Sequence, residues 1–444
     1  MLFKRRQKPK TRVLVIGLDG VPHSMLARLA ADRVMPATAS ILRSGHLMPM
    51  TVSLPEISAV SWSTFMTGVN PGTHGIFGFT DLKRDSYDIR FPSFRDLEAP
   101  TFWDRLGETG KRCVVINQPA TYPAREINGA LVSGFVAIDL RKAVYPAKHI
   151  AALEAMGYRI DVDVTKPEAL FDDLGATLAA RERAVEYLWD AEEWDYLQVV
   201  ITGTDRLHHL FWDAWQQHDH PRRAAFLDYY RAVDGLVGRL RDRFLKLTGG
   251  LEDLYLLSDH GFTGITQEVY LNTWLRQQRY LDYDKQAPES VADISAETVA
   301  FALDPGRIYI NTRGRFPRGT VDPAQAPELK AELRAGLKQM TYQGQPVIRQ
   351  VFDGAEVYDG PLAEKGPDLV LLSHPGFDLK GSVRHPDLFG RTHFQGMHTW
   401  DDAFFWSAAP VSKDLGCAPR GSRVTPEGHI DIADLAAIIT APLV

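Results

Sequence analysis

The chain alternates short runs of consecutive apolar residues with longer segments in which apolar residues recur at helical spacing. The short runs are Val13–Leu18, Cys113–Ile116, Leu197–Thr202, Leu254–Leu257 and Asp368–Leu372. They are continuous rather than alternating, which is typical of strands covered on both faces. Segments such as Leu170–Leu188 and Phe226–Phe244 have the apolar spacing of amphipathic helices. This order predicts an α/β fold with a mostly parallel sheet.

Composition restricts the classes of protein and of metal site. The chain has 444 residues, a length that fits one large core with an embellishment, or two domains. Lys and Arg number 50 against 56 Asp and Glu, for a net charge of −6, whereas a dedicated nucleic-acid binder usually has a basic excess. The two cysteines, Cys113 and Cys417, exclude a disulfide scaffold and a four-cysteine zinc site. Carboxylates and histidines would therefore have to hold any metal ion.

The N-terminal segment resembles the start of a signal peptide only in its charge. Lys4–Lys10 is basic, but the apolar run Val13–Leu18 ends at Asp19 and is shorter than the roughly 7–15 residues of a secretory signal. No stretch approaches the roughly 20 apolar residues of a membrane span. We therefore expect a solvated lead-in, no transmembrane segment and a cytoplasmic protein.

Acidic residues and histidines follow three of the predicted strands. Asp19 follows the first strand, Asp205 follows Leu197–Thr202, and Asp259 with His260 follows Leu254–Leu257. Ligands of parallel sheets bind at the carboxyl edge of the strands, so these side chains are expected at one edge. Each aspartate alone could instead cap a helix or form a turn.

The spacing after the third strand suits a metal ion. Asp205 and His209 are four residues apart and would share one face if the chain turns helical there. His208 competes with His209 for the same role, and His398 in a late Gly-x-His segment adds another imidazole. Zinc accepts both Asp oxygen and His nitrogen. The joint pattern predicts a divalent-cation site.

A serine-rich segment supplies a candidate nucleophile. Ser58 precedes Trp62 and Thr67-Gly68, and the local pattern allows a helix to begin at Ser58. A hydroxyl, or a bound anion, at a helix N-terminus gains from the local positive field. The alternative is a simple helix cap.

Taken in order, these motifs resemble the alkaline phosphatase superfamily, and within it the type I phosphodiesterase/nucleotide pyrophosphatase branch. The chain is most similar to a prokaryotic group of predicted phosphohydrolases and phosphomutases. The resemblance extends from about Val13 to Pro442 and rests on six motifs in sequence order: Asp19-Gly20, Ser58 before Trp62-x-Thr-x-x-Thr-Gly68, Asn70-Pro-Gly-x-His-Gly-Ile76, Asp205-x-x-x-His209, Ser258-Asp-His-Gly261 and Gly396-x-His398.

The resemblance implies an alkaline-phosphatase-like three-layer α/β/α core, formed by residues 1–265 and 366–444, with a cap inserted at 266–365. It also implies two divalent metal ions, usually zinc and sometimes manganese, with Ser58 as the nucleophile. Carried over by position, one ion would be bound by Asp19, Ser58, Asp259 and His260, and the other by Asp205, His209 and His398. Ser61 and Ser63 remain rivals of Ser58, because Val60 and Ser61 stand where the family usually has Pro and Ala.

The expected function is hydrolysis of phosphodiester or nucleotide pyrophosphate bonds in a small phosphate ester or nucleotide, through a phosphoseryl intermediate. A phosphomonoesterase or a phosphomutase on the same core is the alternative. A catalytically inactive binding module is a further one, although it would be expected to have lost ligands, and all seven are present.

Overall fold

The computed structural model describes residues 10–411, 426 and 428–444. Most of the basic N-terminal segment, and Cys417, lie outside the described residues. The α-helices span His23–Ala31, Pro36–Arg43, Ser58–Thr67, Pro71–His74, Phe102–Glu108, Leu140–Ala143, Ile150–Ala155, Leu170–Ala191, Gly203–Gln216, Arg223–Thr248, Leu271–Gln277, Ala326–Lys338, Gly354–Val357 and Leu435–Thr440. Within the described part of the chain, none of these helices is long and apolar enough to cross a membrane.

A nine-stranded sheet forms the centre of the molecule. Its strands lie in the spatial order Ile430–Asp431, His46–Thr51, Ala403–Ser407, Leu254–Leu257, Val13–Leu18, Tyr196–Ile201, Cys113–Gln118, Gly129–Ser133 and Val144–Tyr145. The five strands from Leu254–Leu257 to Gly129–Ser133 are parallel to one another. Ala403–Ser407 and Val144–Tyr145 run antiparallel to their neighbours. The predicted α/β architecture with a mostly parallel sheet is confirmed.

Both faces of the central sheet are covered, which explains why its strands are continuous apolar runs. Along the first strand, Leu14 and Ile16 pack into one core with the helices Leu170–Ala191 and Arg223–Thr248. Val13 and Val15 point to the opposite face and pack into a second core with the helix Ser58–Thr67. The result is a layer of helices on each side of the sheet.

A second, smaller sheet lies in the C-terminal half of the chain. Its four strands are antiparallel, in the order Ala300–Leu303, Arg307–Ile310, Leu369–Ser373 and Ile348–Asp353. A three-stranded sheet of Phe377–Lys380, Gln267–Tyr270 and Phe389–Gly390 packs into the same apolar core. We call these two sheets and their core the insert.

The insert extends past the expected boundary at residue 365. The apolar run Asp368–Leu372 was expected in the parallel sheet, but the strand Leu369–Ser373 pairs antiparallel within the insert. A buried apolar strand has the same pattern whichever sheet it joins, so the pattern could not assign it. The division of the chain into a core and a cap stays a prediction. Its boundary at residue 365 does not coincide with the end of the four-stranded sheet, which includes Leu369–Ser373.

Gly17 marks a close approach between the first strand and the helix that begins at Ser58. A Cβ atom on Gly17 would lie 2.8 Å from the ring of Trp62 and 3.2 Å from Val200. We expect Gly17→Ala to lower the free energy of unfolding by about 1–3 kcal/mol, because the added methyl group overpacks a closed core.

Gly175 provides the matched control in urea unfolding. It lies exposed in the helix Leu170–Ala191, and apart from its chain neighbours and the backbone of its own helix, no atom of the described residues lies within 4 Å of an added Cβ. Gly175→Ala should raise stability by about 0.5–1 kcal/mol through helix propensity. Equal effects of the two substitutions would contradict the packing assigned to Gly17.

Candidate metal centre

Three adjacent strands bring the predicted aspartates to one edge of the central sheet. Leu254–Leu257 and Tyr196–Ile201 lie on either side of Val13–Leu18, and all three are parallel. Asp19 follows the middle strand directly, Asp259 follows one neighbour, and Asp205 lies in the first turn of the helix that follows the other. The expectation that these side chains share an edge is therefore met by the topology.

Each of these three buried carboxylates has one bonded and one unbonded oxygen. The bonded oxygens accept from Trp62 Nε1 for Asp19 at 3.1 Å, from the Gly20 amide for Asp259 at 3.0 Å, and from Arg206 for Asp205 at 2.8 Å. The other oxygens have no hydrogen-bond donor among the described residues, and they are Asp19 Oδ1, Asp205 Oδ1 and Asp259 Oδ2. Unpaired buried carboxylate oxygens are costly, and here three of them are directed into one cluster.

Backbone carbonyls orient three histidines toward the same cluster. The Nδ1 atoms of His209, His260 and His398 lie 3.0, 3.0 and 2.9 Å from the carbonyl oxygens of Gly396, Gly261 and Glu56. A carbonyl oxygen only accepts, so Nδ1 carries the proton in each neutral ring and Nε2 presents a lone pair. This arrangement is typical of histidines that ligate a metal through Nε2.

The unbonded oxygens and the Nε2 atoms lie close together. His398 Nε2 is 3.1 Å from His209 Nε2 and 3.3 Å from Asp205 Oδ1. His260 Nε2 is 3.3 Å from Asp259 Oδ2 and 3.8 Å from Asp19 Oδ1. Ligand atoms within 4.8 Å of one another form two groups, Asp19 with Asp259 and His260, and Asp205 with His260 and His398. His260 therefore lies between two places for a cation.

The electrostatics of the cluster follow from burial of like charges. Burial, with the charges of Asp259 and Asp205, holds the pKa of Asp19 well above its usual range. Burial and the charge of Asp205 also raise the pKa of Asp259 to about 7. Burial opposes ionisation of Asp205 as well, but His209, His398 and Arg206 hold its pKa well below the usual range. Cations at this site would relieve the repulsion between the carboxylates.

Ser58 is the first residue of the helix Ser58–Thr67, as the sequence allowed. Its Oγ lies 3.1 Å from His260 Nε2, so the hydroxyl faces the cluster. The rival Ser63 donates to the carbonyl of Ala59 one turn earlier in the helix. Ser61 is fully buried, and its hydroxyl has no hydrogen-bond partner among the described residues. Of the three serines, Ser58 is the one that contacts a candidate ligand.

The two histidines of the Asp205 helix differ in their surroundings. In the helix Gly203–Gln216, His209 Nε2 lies 3.5 Å from Asp205 Oδ1, as the four-residue spacing predicts. His208 points away, with Nδ1 2.9 Å from the carbonyl of Gly20 and Nε2 2.7 Å from the Tyr230 hydroxyl. Both nitrogens of His208 are engaged, so it contributes to packing rather than to the cluster.

Sequence reasoning missed the groups that hold the candidate ligands. Trp62 lies one helical turn after Ser58 and donates to Asp19. Arg206 bridges Asp205 and Asp161, with its Nη2 2.8 Å from an Asp161 oxygen. Arg206 directly follows Asp205 in the sequence, which is a weak signal because adjacent residues of a helix usually diverge.

The donor set fits divalent cations. Carboxylate oxygens and imidazole nitrogens are zinc ligands. Three carboxylate oxygens of the cluster have no hydrogen-bond donor among the described residues, and three imidazole Nε2 atoms face the same space. The two Nε2 atoms of His209 and His398 face each other at 3.1 Å, an arrangement that needs a proton or a cation between them. The residues would hold two cations close to the Ser58 hydroxyl.

Solved structures with the same fold include three proteins of low sequence identity. Phosphonoacetate hydrolase from Sinorhizobium meliloti 1021 has a TM-score of 0.63 at 16% identity, covering 100% of this chain and 98% of that one. Alkaline phosphatase PafA has a TM-score of 0.58 at 13% identity, with 99% and 96% covered. Murine ectonucleotide pyrophosphatase/phosphodiesterase 5 has a TM-score of 0.53 at 14% identity, with 98% and 95% covered.

The family follows from the sequence itself. A comparison with curated proteins finds no significant match. The profile of the type I phosphodiesterase/nucleotide pyrophosphatase family matches residues 13–401, a range that includes every candidate ligand and Ser58. The alkaline-phosphatase-like fold that the motifs implied is confirmed. The chain belongs to the type I phosphodiesterase/nucleotide pyrophosphatase family of the alkaline phosphatase superfamily.

Proposed function

We propose that this phosphoesterase hydrolyses phosphodiester or nucleotide pyrophosphate bonds, with Ser58 as the nucleophile. Its cofactors would be two divalent metal ions, and zinc is the metal that we expect. Asp19, Ser58, Asp259 and His260 would hold one ion. Asp205, His209 and His398 would hold the other. His260 Nε2 lies near both groups, 3.3 Å from Asp259 Oδ2 and 3.8 Å from Asp205 Oδ1.

The observation that carries the proposal is the convergence of unpaired acceptors beside one hydroxyl. Three buried carboxylate oxygens have no donor in the part of the chain that the structure describes, and three imidazole Nε2 atoms point to the same space. Ser58 Oγ lies at the border of this cluster, 3.1 Å from His260 Nε2. A binding module has no need for a hydroxyl nucleophile at such a position, whereas phosphoryl transfer does.

The chemistry follows from the position of Ser58. Two divalent cations bound here would lower the pKa of its hydroxyl and stabilise charge on the attacking and leaving oxygens. Ser58 Oγ, having lost its proton to solvent, forms a bond to phosphorus while the bond to the leaving alcohol breaks. Water then attacks the phosphorus of this serine adduct, which still carries the second ester group, releasing a phosphate monoester and restoring the Ser58 hydroxyl. Each displacement inverts phosphorus, so hydrolysis proceeds with net retention.

The names of the structural neighbours are compatible with this proposal. One is a phosphonoacetate hydrolase in complex with phosphonoformate, and another is an inactive variant of murine ectonucleotide pyrophosphatase/phosphodiesterase 5 in complex with AMP. Both ligands contain a tetrahedral phosphorus group. At this low sequence identity, the structural similarity supports the fold alone. The substrate that we propose for this chain rests on the site itself.

A substrate panel tests the reaction class. The purified protein, loaded with zinc or with manganese, would be assayed on a nitrophenyl phosphodiester, a nitrophenyl phosphomonoester and a dinucleotide. We expect the highest kcat/KM for a diester. Preference for the monoester would replace the proposal with a phosphomonoesterase or phosphomutase, and absence of turnover with either metal would favour a binding module.

Arg206 offers a test of how the second ion would be held. Its guanidinium donates to Asp205 and Asp161 at once, and a lysine ammonium cannot reproduce this fork. We expect Arg206→Lys to weaken binding of one of two zinc ions by about 10–100-fold, because partners that orient ligands typically contribute this much. Competition with a chromophoric chelator measures it.

The matched control is Arg239→Lys, in an exposed ion pair with Glu182 on the surface. It should leave both zinc affinities unchanged. Equal zinc affinities in wild-type protein and Arg206→Lys would show that Arg206 does not orient a ligand.

A further inference from the structure

A cavity of about 460 Å³ opens beside the candidate metal centre. His209 and His398 form part of its wall, so a substrate phosphate at the metals would extend an organic group into this space. Most of the remaining wall is apolar, and includes Ile57, Val162, Val164, Leu371, Leu379 and Met397. Apolar walls stabilise a bound hydrocarbon group by removing it from water.

A second, smaller cavity of about 190 Å³ lies on the other side of two phenyl rings. Phe79 and Phe135 line both cavities and contact each other edge to face, with ring centroids 5.6 Å apart. Ile57 lines the larger cavity and Ala59 the smaller one, so the two chain neighbours of Ser58 each reach one cavity. The hydroxyl of Ser93, a polar group in the smaller cavity, is already bonded to Asp96.

The two cationic side chains that line the larger cavity are each paired with an acid of the protein. Arg206 is bonded to Asp161 at 2.8 Å, and Lys380 lies 2.6 Å from Asp378. Two further acids, Glu56 and Asp304, also line the cavity. The described lining therefore offers no unpaired cation for a second or third phosphate of a substrate. A polyphosphate chain would face a net excess of carboxylates outside the metal centre.

From this lining we propose that the substrate is a singly charged phosphodiester that carries a hydrocarbon group, alkyl or aryl, in the larger cavity, rather than a nucleoside polyphosphate. This inference rests on the proposed function and names the substrate class for the same site. The rim of the smaller cavity supports it, because Phe91 and Val136 are 74% and 40% exposed there. A chain longer than the cavities could continue over these side chains.

A series of nitrophenyl alkyl phosphodiesters, from methyl to decyl, tests the substrate class. Burying a methylene group stabilises binding enough for up to about a fourfold gain in kcat/KM. We expect a total rise of at least about tenfold between methyl and octyl, and lower kcat/KM for a nucleoside triphosphate than for the methyl diester. A flat series, or a preference for the triphosphate, would overturn the proposal.

A substitution in the wall locates the effect. Val164 is half-buried and lines the larger cavity. Val164→Asp should reduce the octyl-to-methyl ratio of kcat/KM by about tenfold, because the added carboxylate hydrates the cavity. The control, Leu247→Asp, changes a remote, exposed apolar residue of the helix Arg223–Thr248 and should keep the wild-type ratio. An unchanged ratio in Val164→Asp would contradict the assignment.

Calorimetry of alkylphosphonates separates failure of this inference from failure of the proposed function. Zinc-loaded Ser58→Ala protein should bind octylphosphonate at least about tenfold more tightly than methylphosphonate, whether or not any diester is turned over. Turnover of diesters with no chain-length dependence of binding would overturn the inference and leave the function intact.

The source of the hydrocarbon can also be distinguished. The decyl diester would be offered below its critical micelle concentration, and then in phosphatidylcholine vesicles. Faster turnover of the monomer identifies a free amphiphile, and faster turnover in vesicles identifies a membrane lipid. Either preference supports the proposal, whereas decyl turnover no faster than methyl turnover in both forms contradicts it.

Discussion

Replacing Ser58 with alanine should lower turnover by at least about 10³-fold while leaving two zinc ions bound. The substitution removes the hydroxyl oxygen that would attack phosphorus, and no remaining group at the site can form the covalent intermediate. The three aspartates and three histidines of the site remain in this variant, and the Ser58 hydroxyl contacts one of them, His260 Nε2, at 3.1 Å. Steady-state kinetics with a nitrophenyl diester and zinc content by mass spectrometry measure the two effects.

The matched controls are the two serines that follow in the same helix. Ser61→Ala and Ser63→Ala remove hydroxyls from the same helix, and Ser63 is bonded to a carbonyl within it. Both variants should retain turnover within about threefold of wild type, since neither hydroxyl contacts a candidate ligand. Normal turnover by Ser58→Ala, or loss of turnover in Ser61→Ala, would reject Ser58 as the nucleophile.

Asp259→Asn should remove about one zinc ion per chain and lower turnover by at least about 10²-fold. An asparagine can still accept the hydrogen bond from the Gly20 amide, so the local backbone is kept, but its amide is a poor zinc ligand. Zinc should raise the melting temperature of the wild type more than that of the variant, because only folded protein offers the complete site.

Without bound metal, the Asp259→Asn variant should be more stable than the wild type. Asp259 is fully buried, and this burial, with the charge of Asp205, raises its pKa to about 7. Removing one of the clustered carboxylates should therefore stabilise the chain when no metal is bound. The control is Asp234→Asn, which replaces a buried carboxylate outside the cluster. Asp234 accepts hydrogen bonds from the amides of Ala37 and Thr38. Full zinc binding by Asp259→Asn would contradict the account.

Much of the site could be predicted because its geometry is local. Asp19 and Asp259 follow apolar strands within two residues, and Asp205 lies in the first turn of the helix after one, so a parallel sheet brings all three to one edge. His209 follows Asp205 by one helical turn, and Ser58 begins a helix. Each of these relations depends on fewer than six neighbouring residues and on the common direction of three strands.

The rest depends on contacts between distant parts of the chain. His398 reaches the cluster because its strand Gly396–Thr399 pairs with Gly261–Gly264, and no local pattern specifies that pairing. The strand Leu369–Ser373 was assigned to the wrong sheet because burial on both faces looks the same in either one. The roles of Trp62 and Arg206 depend on side-chain direction, which sequence spacing does not give.

The stereochemistry of hydrolysis at phosphorus tests the central claim most directly. A nitrophenyl phosphorothioate diester of known configuration would be cleaved by the zinc-loaded protein in isotopically labelled water, and the product configuration determined by phosphorus NMR. Attack by Ser58 followed by attack of water involves two inversions, so we predict net retention. Net inversion would show that water attacks the substrate directly, and would contradict a phosphoseryl intermediate.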